Sequence, residues 1–260
     1  MRVWAIANQK GGVGKTTTTL ALGRTLALRG QRVLLVDLDP HGSLTRAFGV
    51  PAEPPPSGVL ELFSTPPRPL SELAHPSPLE GLDFVCAQTA LATLERRSAS
   101  QPGLGLALSQ ALSRHAAGHD YVLLDCPPTL GLLMVNALAA ADHLVVPTQT
   151  EPLALHGLAG MRRTGEMIAR SRGRPLPAAV LPTMFDRRTR VGRETLRQMQ
   201  KEYGPLAWSE AIPIDTQLRN ADILAQQPAT SAQPGRALDA YARALDWILA
   251  GQARRLERAA

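Results

Sequence analysis

Residues 7–23 read ANQKGGVGKTTTTLALG. This glycine-rich run follows a short apolar segment, VWAIA at 3–7, and opens an Ala/Leu-rich segment with helical spacing. Strand, glycine loop and helix in that order constrain the chain more than any other feature it has. Glycines let successive backbone N–H groups turn inward on an anion, where a side chain would block the approach. A helix beginning at Lys15 aims its positive end at the same point. The usual phosphate-loop spacing, Gly-x-x-x-x-Gly-Lys-[Ser/Thr], asks for a glycine at position 9. Gln9 stands there instead, followed by Lys10, so the loop carries a second lysine that needs a purpose.

The candidate site follows from this loop. Gly11, Gly12, Val13 and Gly14 supply the phosphate cradle, Lys15 meets the β- and γ-phosphates, and Thr17 holds the α-phosphate region. The Thr16 hydroxyl is the expected Mg²⁺ ligand. YVLLDCPP (121–128) ends an apolar run in Asp125, an acid placed at a strand end to reach Mg²⁺ directly or through water. VLLVDLDPHGS (33–43) puts two acids two positions apart at another strand end, which projects them to the same side. Asp39, just past the strand, is expected to orient a water on the γ-phosphate. Asp37 either supports Mg²⁺ through a water or fixes the loop. His41 reads as a solvent-facing loop histidine rather than a catalytic base.

Short β-branched runs at 3–7, 32–37, 82–86, 121–125, 143–147 and 177–185 alternate with helical patterns near 15–29, 104–117, 131–140, 153–171, 189–203, 216–226 and 235–250. Most of the strand runs are continuously apolar, as expected when helices cover both faces of a sheet. The expected fold is an α/β, doubly wound, mostly parallel sheet flanked by helices, in a single domain over 1–260. PAEPPPSGVLELFSTPPRPL (51–70) breaks the rhythm and reads as an irregular excursion with one short helix, and the last ten residues are expected to fray. MRVWAIANQ is too short an apolar run for a signal peptide or span, and no later stretch reaches about 18 apolar residues. The expectation is a cytoplasmic protein. Cys86 and Cys126 lie in apolar runs without metal-ligand spacing and read as small buried hydrophobes.

Together KGGVGKTT, LLVDLDPHGS and YVLLDCPPTLG resemble the three motifs of the ParA/MinD family of deviant Walker A ATPases, and the resemblance continues through VVPTQTEPLALHGL (145–158) and LPTMFDRRTR (181–190). It implies a P-loop ATPase domain that binds MgATP and forms an ATP-dependent, face-to-face homodimer. It also gives the second lysine a role: Lys10 crosses the interface to the partner's nucleotide, supplying positive charge in trans as an arginine finger does elsewhere. Gln9 in place of glycine is expected to let Lys10 point outward. Adenine is expected near Met184, Asp186 and Pro213.

The resemblance also implies partners. Partition members bind DNA non-specifically through basic residues late in the chain, and an activating partner protein stimulates them. Net charge is +6, and residues 151–260 carry all of the excess, with 17 basic against 11 acidic side chains. Between 162 and 197 ten arginines face three acids. Arg188, Arg190, Arg193 and Arg219 are the candidate phosphate contacts. IPIDTQLRNA (212–221) departs from the partition pattern, with Ile214 and Gln217 where arginines are expected. MRVWAIANQKGGVGKTTTT and DLDPHGS look most like the ParC branch, which positions chemotaxis arrays at cell poles through protein partners. A MinD-like membrane switch needs a C-terminal amphipathic helix, but Trp247 and Ile248 read more simply as the last core helix. The remaining alternative is a metabolic P-loop enzyme, either an ATP-dependent small-molecule ligase or a nitrogenase-iron-protein-like enzyme that needs bridging cysteines.

Overall fold

The computed structural model describes residues 1–51, 54–97, 104–114, 118–216, 218, 221–226 and 235–259. Seven strands form one sheet: β1 (Arg2–Ile6), β2 (Val33–Asp37), β3 (Ala74–Pro76), β4 (Leu82–Val85), β5 (Tyr121–Asp125), β6 (His143–Gln149) and β7 (Ala178–Thr183). Their order is β3-β4-β2-β5-β1-β6-β7, and every pairing is parallel except the antiparallel edge pair β3–β4. β2 and β5 are buried along their whole length, which explains their unbroken apolar runs.

Alternate residues of β1 feed two cores. Val3 and Ala5 pack with α6 (Leu132–Ala140) and α7 (Pro152–Ser171) on one face. Trp4 and Ile6 pack with α1 (Lys15–Leu28) and α10 (Arg236–Ala259) on the other. The sheet period of two thus separates the chain's apolar residues into two layers. Gly23 is what lets α1 lie so close to β2, because a Cβ there would come within 2.6 Å of the buried Leu35 side chain. Ile248 is buried and Trp247 packs beside it, so α10 is a core helix as expected.

Several expectations need correction. Where fraying is expected after residue 250, α10 instead continues to Ala259, and the Gln252 side chain accepts from Arg2 at 3.5 Å. Four short elements are not marked by the sequence, namely α2 (Ser43–Ala47), α3 (Leu70–Leu73), α4 (Leu91–Arg97) and β3. Each is too short to show periodicity, and β3 contains a proline that an edge strand tolerates. The helix expected over 104–117 is a 3-10 turn at Leu104–Leu106 followed by α5 (Ala107–Arg114), with 115–117 outside the described residues. Of the helix expected over 216–226, α9 (Asp222–Gln226) lies within the described residues, whereas Gln217, Arg219 and Asn220 lie outside them. The 51–70 excursion holds a 3-10 helix at Val59–Phe63, and α3 (Leu70–Leu73) follows it.

His143 is the costly residue of this core. It is 3% exposed, and neither ring nitrogen has a hydrogen-bond partner among the described residues. Burial, aided by Arg255, pushes its pKa down to about 3. Below about pH 6.5 the unfolded chain takes up a proton that the folded chain refuses until about pH 3, so this residue removes stability as pH falls through that window. His143→Leu should raise stability by about 1–3 kcal/mol at pH 7 by removing two unsatisfied buried nitrogens. Its advantage over the wild type should widen toward pH 4. Urea melts at several pH values read this directly, and an advantage that shrinks on acidification contradicts it.

Candidate functional site

The parallel sheet brings the site together at one end. In register, Ile6 pairs with Asp125, and Asp125 pairs with Asp37. The glycine loop leaving β1 and the two acids therefore emerge side by side at the carboxyl ends of adjacent strands, where open α/β sheets bind their ligands. A cavity of about 650 Å³ opens there, lined by the loop, the end of β7, residues 212–215, 218 and 221, and α10.

Gly14 precedes α1 in the left-handed region at φ 88°, which only glycine adopts without strain. The space beside Gly11 and Gly12 is open within 4 Å. Lys15 is 8% exposed and donates to the Lys10 carbonyl at 3.2 Å. Burial lowers its pKa, an effect that Asp125 opposes. Lys15, Thr16, Thr17 and Asp39 all line the cavity. The Thr16 hydroxyl donates to Asp125 at 2.7 Å, and Thr19 donates to the other Asp125 oxygen at 3.4 Å. Asp125 is fully buried, and desolvation followed by the Asp37 charge raises its pKa. Val13 is also fully buried and lies outside the cavity lining, where its carbonyl accepts from Thr183 at 2.9 Å.

Asp37 is spent on its own loop. One oxygen accepts from the Thr45 N–H at 2.8 Å and the Thr45 hydroxyl at 2.7 Å, and the other accepts from the Asp39 N–H at 3.2 Å. Burial pushes its pKa up to about 6. Of the two roles expected for Asp37, these contacts serve the fixing of the loop.

Gln9 and Lys10 diverge. Gln9 donates to Thr164 of α7 at 3.0 Å. Lys10 goes the other way, with its ammonium 2.8 Å from Gln149 and 3.4 Å from Glu151. It rests on the rim between β6 and α7 rather than projecting freely. Gln149 also donates to the Gly12 carbonyl at 3.2 Å and to the Met184 sulfur at 3.0 Å. Sequence reasoning missed this bridging glutamine, which no motif marks.

The far end of the cavity is apolar. Met184 sits in the left-handed region at φ 53°, a conformation non-glycine residues adopt rarely and often at functional positions. Phe185 and Pro213 form a parallel bridge, so Met184, Pro213 and the exposed Ile214 make a shelf, closed by Leu218 and Tyr241. The Tyr241 and Thr18 hydroxyls lie 3.0 Å apart. Asp186 does not belong to this cavity. It faces Arg188 in an ion pair at 2.8 Å, and the Arg188 side chain followed by its backbone N–H lowers its pKa to about 2.

Both cysteines are fully buried, and burial pushes the Cys86 thiol up to about 12 and the Cys126 thiol higher still. Neither is placed to bridge a cluster between subunits. Among the described residues there is also no group of three or more His, Cys, Asp or Glu side chains that could hold a metal ion by itself.

The fold and site define a P-loop nucleotide-binding protein with a two-lysine loop. Residues 1–176 match the family model described as "AAA domain". The chain is 39% identical over 247 residues to the chromosome-partitioning ATPase Soj of Thermus thermophilus, covering 95% of this chain and 94% of that protein. It is 36% identical over 218 residues to the chromosome partitioning protein ParA of Myxococcus xanthus, covering 84% and 77%. Among solved structures it resembles a protein titled cobyrinic acid a,c-diamide synthase from Mycobacterium smegmatis, solved with a bound ATP analogue and magnesium. That match has a TM-score of 0.82 and 33% identity, over 96% of this chain and 94% of that one. The chain belongs to the ParA/MinD family of P-loop ATPases.

Proposed function

We propose that residues 1–260 form one ATPase unit that works as an ATP-dependent dimerisation switch for partitioning or positioning cargo. The observation that carries this reading is the division of labour between the two lysines. Lys15 stands at the start of α1 over the phosphate cradle, whereas Lys10 lies on the half-exposed rim, from which it can be lent to a second copy. The partition names of the relatives support it further.

The residues present fit MgATP. The open glycine cradle and Lys15 suit a triphosphate, and the shelf of Met184, Pro213 and Ile214 suits a planar base. Thr16 and Asp125 would hold Mg²⁺, an ion commonly bound by few protein ligands together with substrate phosphates. When bound, the ion would neutralise charge developing on the phosphate oxygens. Asp39 orients the attacking water, Lys15 offsets charge within its own subunit, and the partner copy contributes a Lys10. Binding closes the dimer, and hydrolysis to ADP and phosphate releases it. A slow turnover raised by an activating partner protein, either ParB-like or a polar adaptor, accords with a switch.

For cargo we favour DNA partition over chemotaxis arrays, because the relatives named above are partition proteins. A cytoplasmic, nucleoid-associated location follows from this. Among the described residues no helix is long and apolar enough to cross a membrane. Arg188, Arg190 and Arg193 cluster in the loop before α8 (Arg190–Tyr203) and on its first turn. Arg188 pairs with Asp186, Arg190 pairs with Glu194 at 2.6 Å, and Arg193 donates to the Arg187 carbonyl at 2.7 Å. Such exposed pairs are weak, so DNA phosphates can compete for the arginines. With ATP present, replacing Arg188 and Arg190 with Glu should weaken binding to unrelated duplexes by about tenfold or more and flatten its salt dependence. Gel shifts across a salt series test this. Equal binding by wild type and variant sends the DNA footprint elsewhere.

The likeness to the synthase-titled structure supports a second reading, an ATP-dependent small-molecule ligase. A ligase turns over faster with a small substrate, whereas a switch responds to DNA or a protein partner. Phosphate release measured with each addition separates the two.

A further inference from the structure

Asp39 does not face the cavity unaided. Its Oδ1 accepts from the His41 backbone N–H at 3.0 Å and lies 2.9 Å from the His41 ring Nδ1. Its Oδ2 makes no hydrogen bond among the described residues. The turn that presents His41 is stitched at several points. The Gly42 N–H donates to the Asp39 carbonyl at 2.8 Å, Arg46 donates to the His41 carbonyl, and Asp37 holds the Asp39 N–H. The imidazole itself is largely solvent-exposed, so packing against the core does not explain its place.

We infer that His41 is a positioning residue for ATP hydrolysis: its ring N–H fixes the rotation of the Asp39 carboxylate so that Oδ2 presents to the attacking water. The inference rests on the water-orienting role proposed for Asp39. The His41 backbone N–H alone leaves the carboxylate a single hydrogen bond about which to swing, and a second, charge-assisted N–H···O bond from the ring to the same oxygen narrows that freedom. The ring donates through Nδ1 and leaves Nε2 to solvent, so the bond requires either the Nδ1–H tautomer or the imidazolium.

The test compares His41→Ala, His41→Asn and Asp39→Ala for single-turnover phosphate release, ATP affinity and lifetime of the ATP-bound dimer. Asn carries an amide N–H near the position of the ring Nδ1. His41→Ala should slow hydrolysis by about 5- to 20-fold and lengthen the dimer lifetime by the same factor, with ATP affinity unchanged. His41→Asn should recover most of the rate. An Ala variant that hydrolyses normally while Asp39→Ala stalls overturns the inference, as does an Asn variant no better than Ala. Loss of ATP affinity in His41→Ala also overturns it, because the ring would then be supporting the loop's fold. If Asp39→Ala itself hydrolyses normally, the underlying reading of Asp39 fails instead.

Discussion

Asp39→Ala should stop turnover without stopping assembly. Asp39 lines the cavity from the loop after β2, and its backbone is held by Asp37, whose own oxygens are engaged with Thr45. Neither the phosphate cradle nor the apolar shelf uses the Asp39 side chain. ATP binding should therefore be close to wild type, and so should dimer formation. The chemical step alone needs an oriented water, and loss of such a group slows reactions by roughly 10²–10⁴-fold. The ATP dimer should then persist far longer than the wild-type dimer. Quenched-flow phosphate release combined with light scattering reads both effects. A variant that hydrolyses ATP normally removes Asp39 from the mechanism.

Lys15→Ala should act one step earlier. Lys15 is nearly buried at the start of α1, and burial already works against its charge, with Asp125 in partial compensation. A cation held there against desolvation has its natural counter-charge in a triphosphate. Removing it costs about 2–4 kcal/mol of phosphate binding, a loss of roughly thirty- to several-hundred-fold in affinity. Calorimetry with MgATP gives the number. Affinity unchanged from wild type would mean that the glycine cradle is not the phosphate site.

Much of this architecture is legible in the sequence, for physical reasons. β2 and β5 are buried on both faces, so they appear as uninterrupted apolar runs ending in an acid. The register that sets Asp37 beside Asp125 needs only parallel pairing. What stays hidden is short or held together over long distances in the chain. α2 and α4 span five and seven residues, too few for a helical period to emerge. The apolar shelf joins Met184 to residues near 213 and to Tyr241, a meeting that only the folded sheet and α10 bring about. The family resemblance groups Asp186 with Met184, yet Asp186 pairs with Arg188 two positions on and does not line the cavity. Gln149 bridges the loop, Lys10 and Met184, and nothing about an isolated glutamine announces that.

The second lysine remains the central claim. Gln9 is hooked to α7 and Lys10 is directed to the rim, where Gln149 and Glu151 hold it. Lys10→Ala removes nothing from the cradle of its own subunit, so ATP affinity should change little. It removes the charge lent to the partner, so the ATP dimer should not form. Size-exclusion chromatography with light scattering, run in MgATP on Asp39→Ala and on the Asp39→Ala, Lys10→Ala double variant, isolates this step because both proteins should consume the nucleotide far more slowly than wild type. The expected result is a dimer of twice 27.8 kDa for the single variant and a monomer for the double variant. A stable dimer from the double variant, with ATP bound, would contradict a lysine shared across the interface.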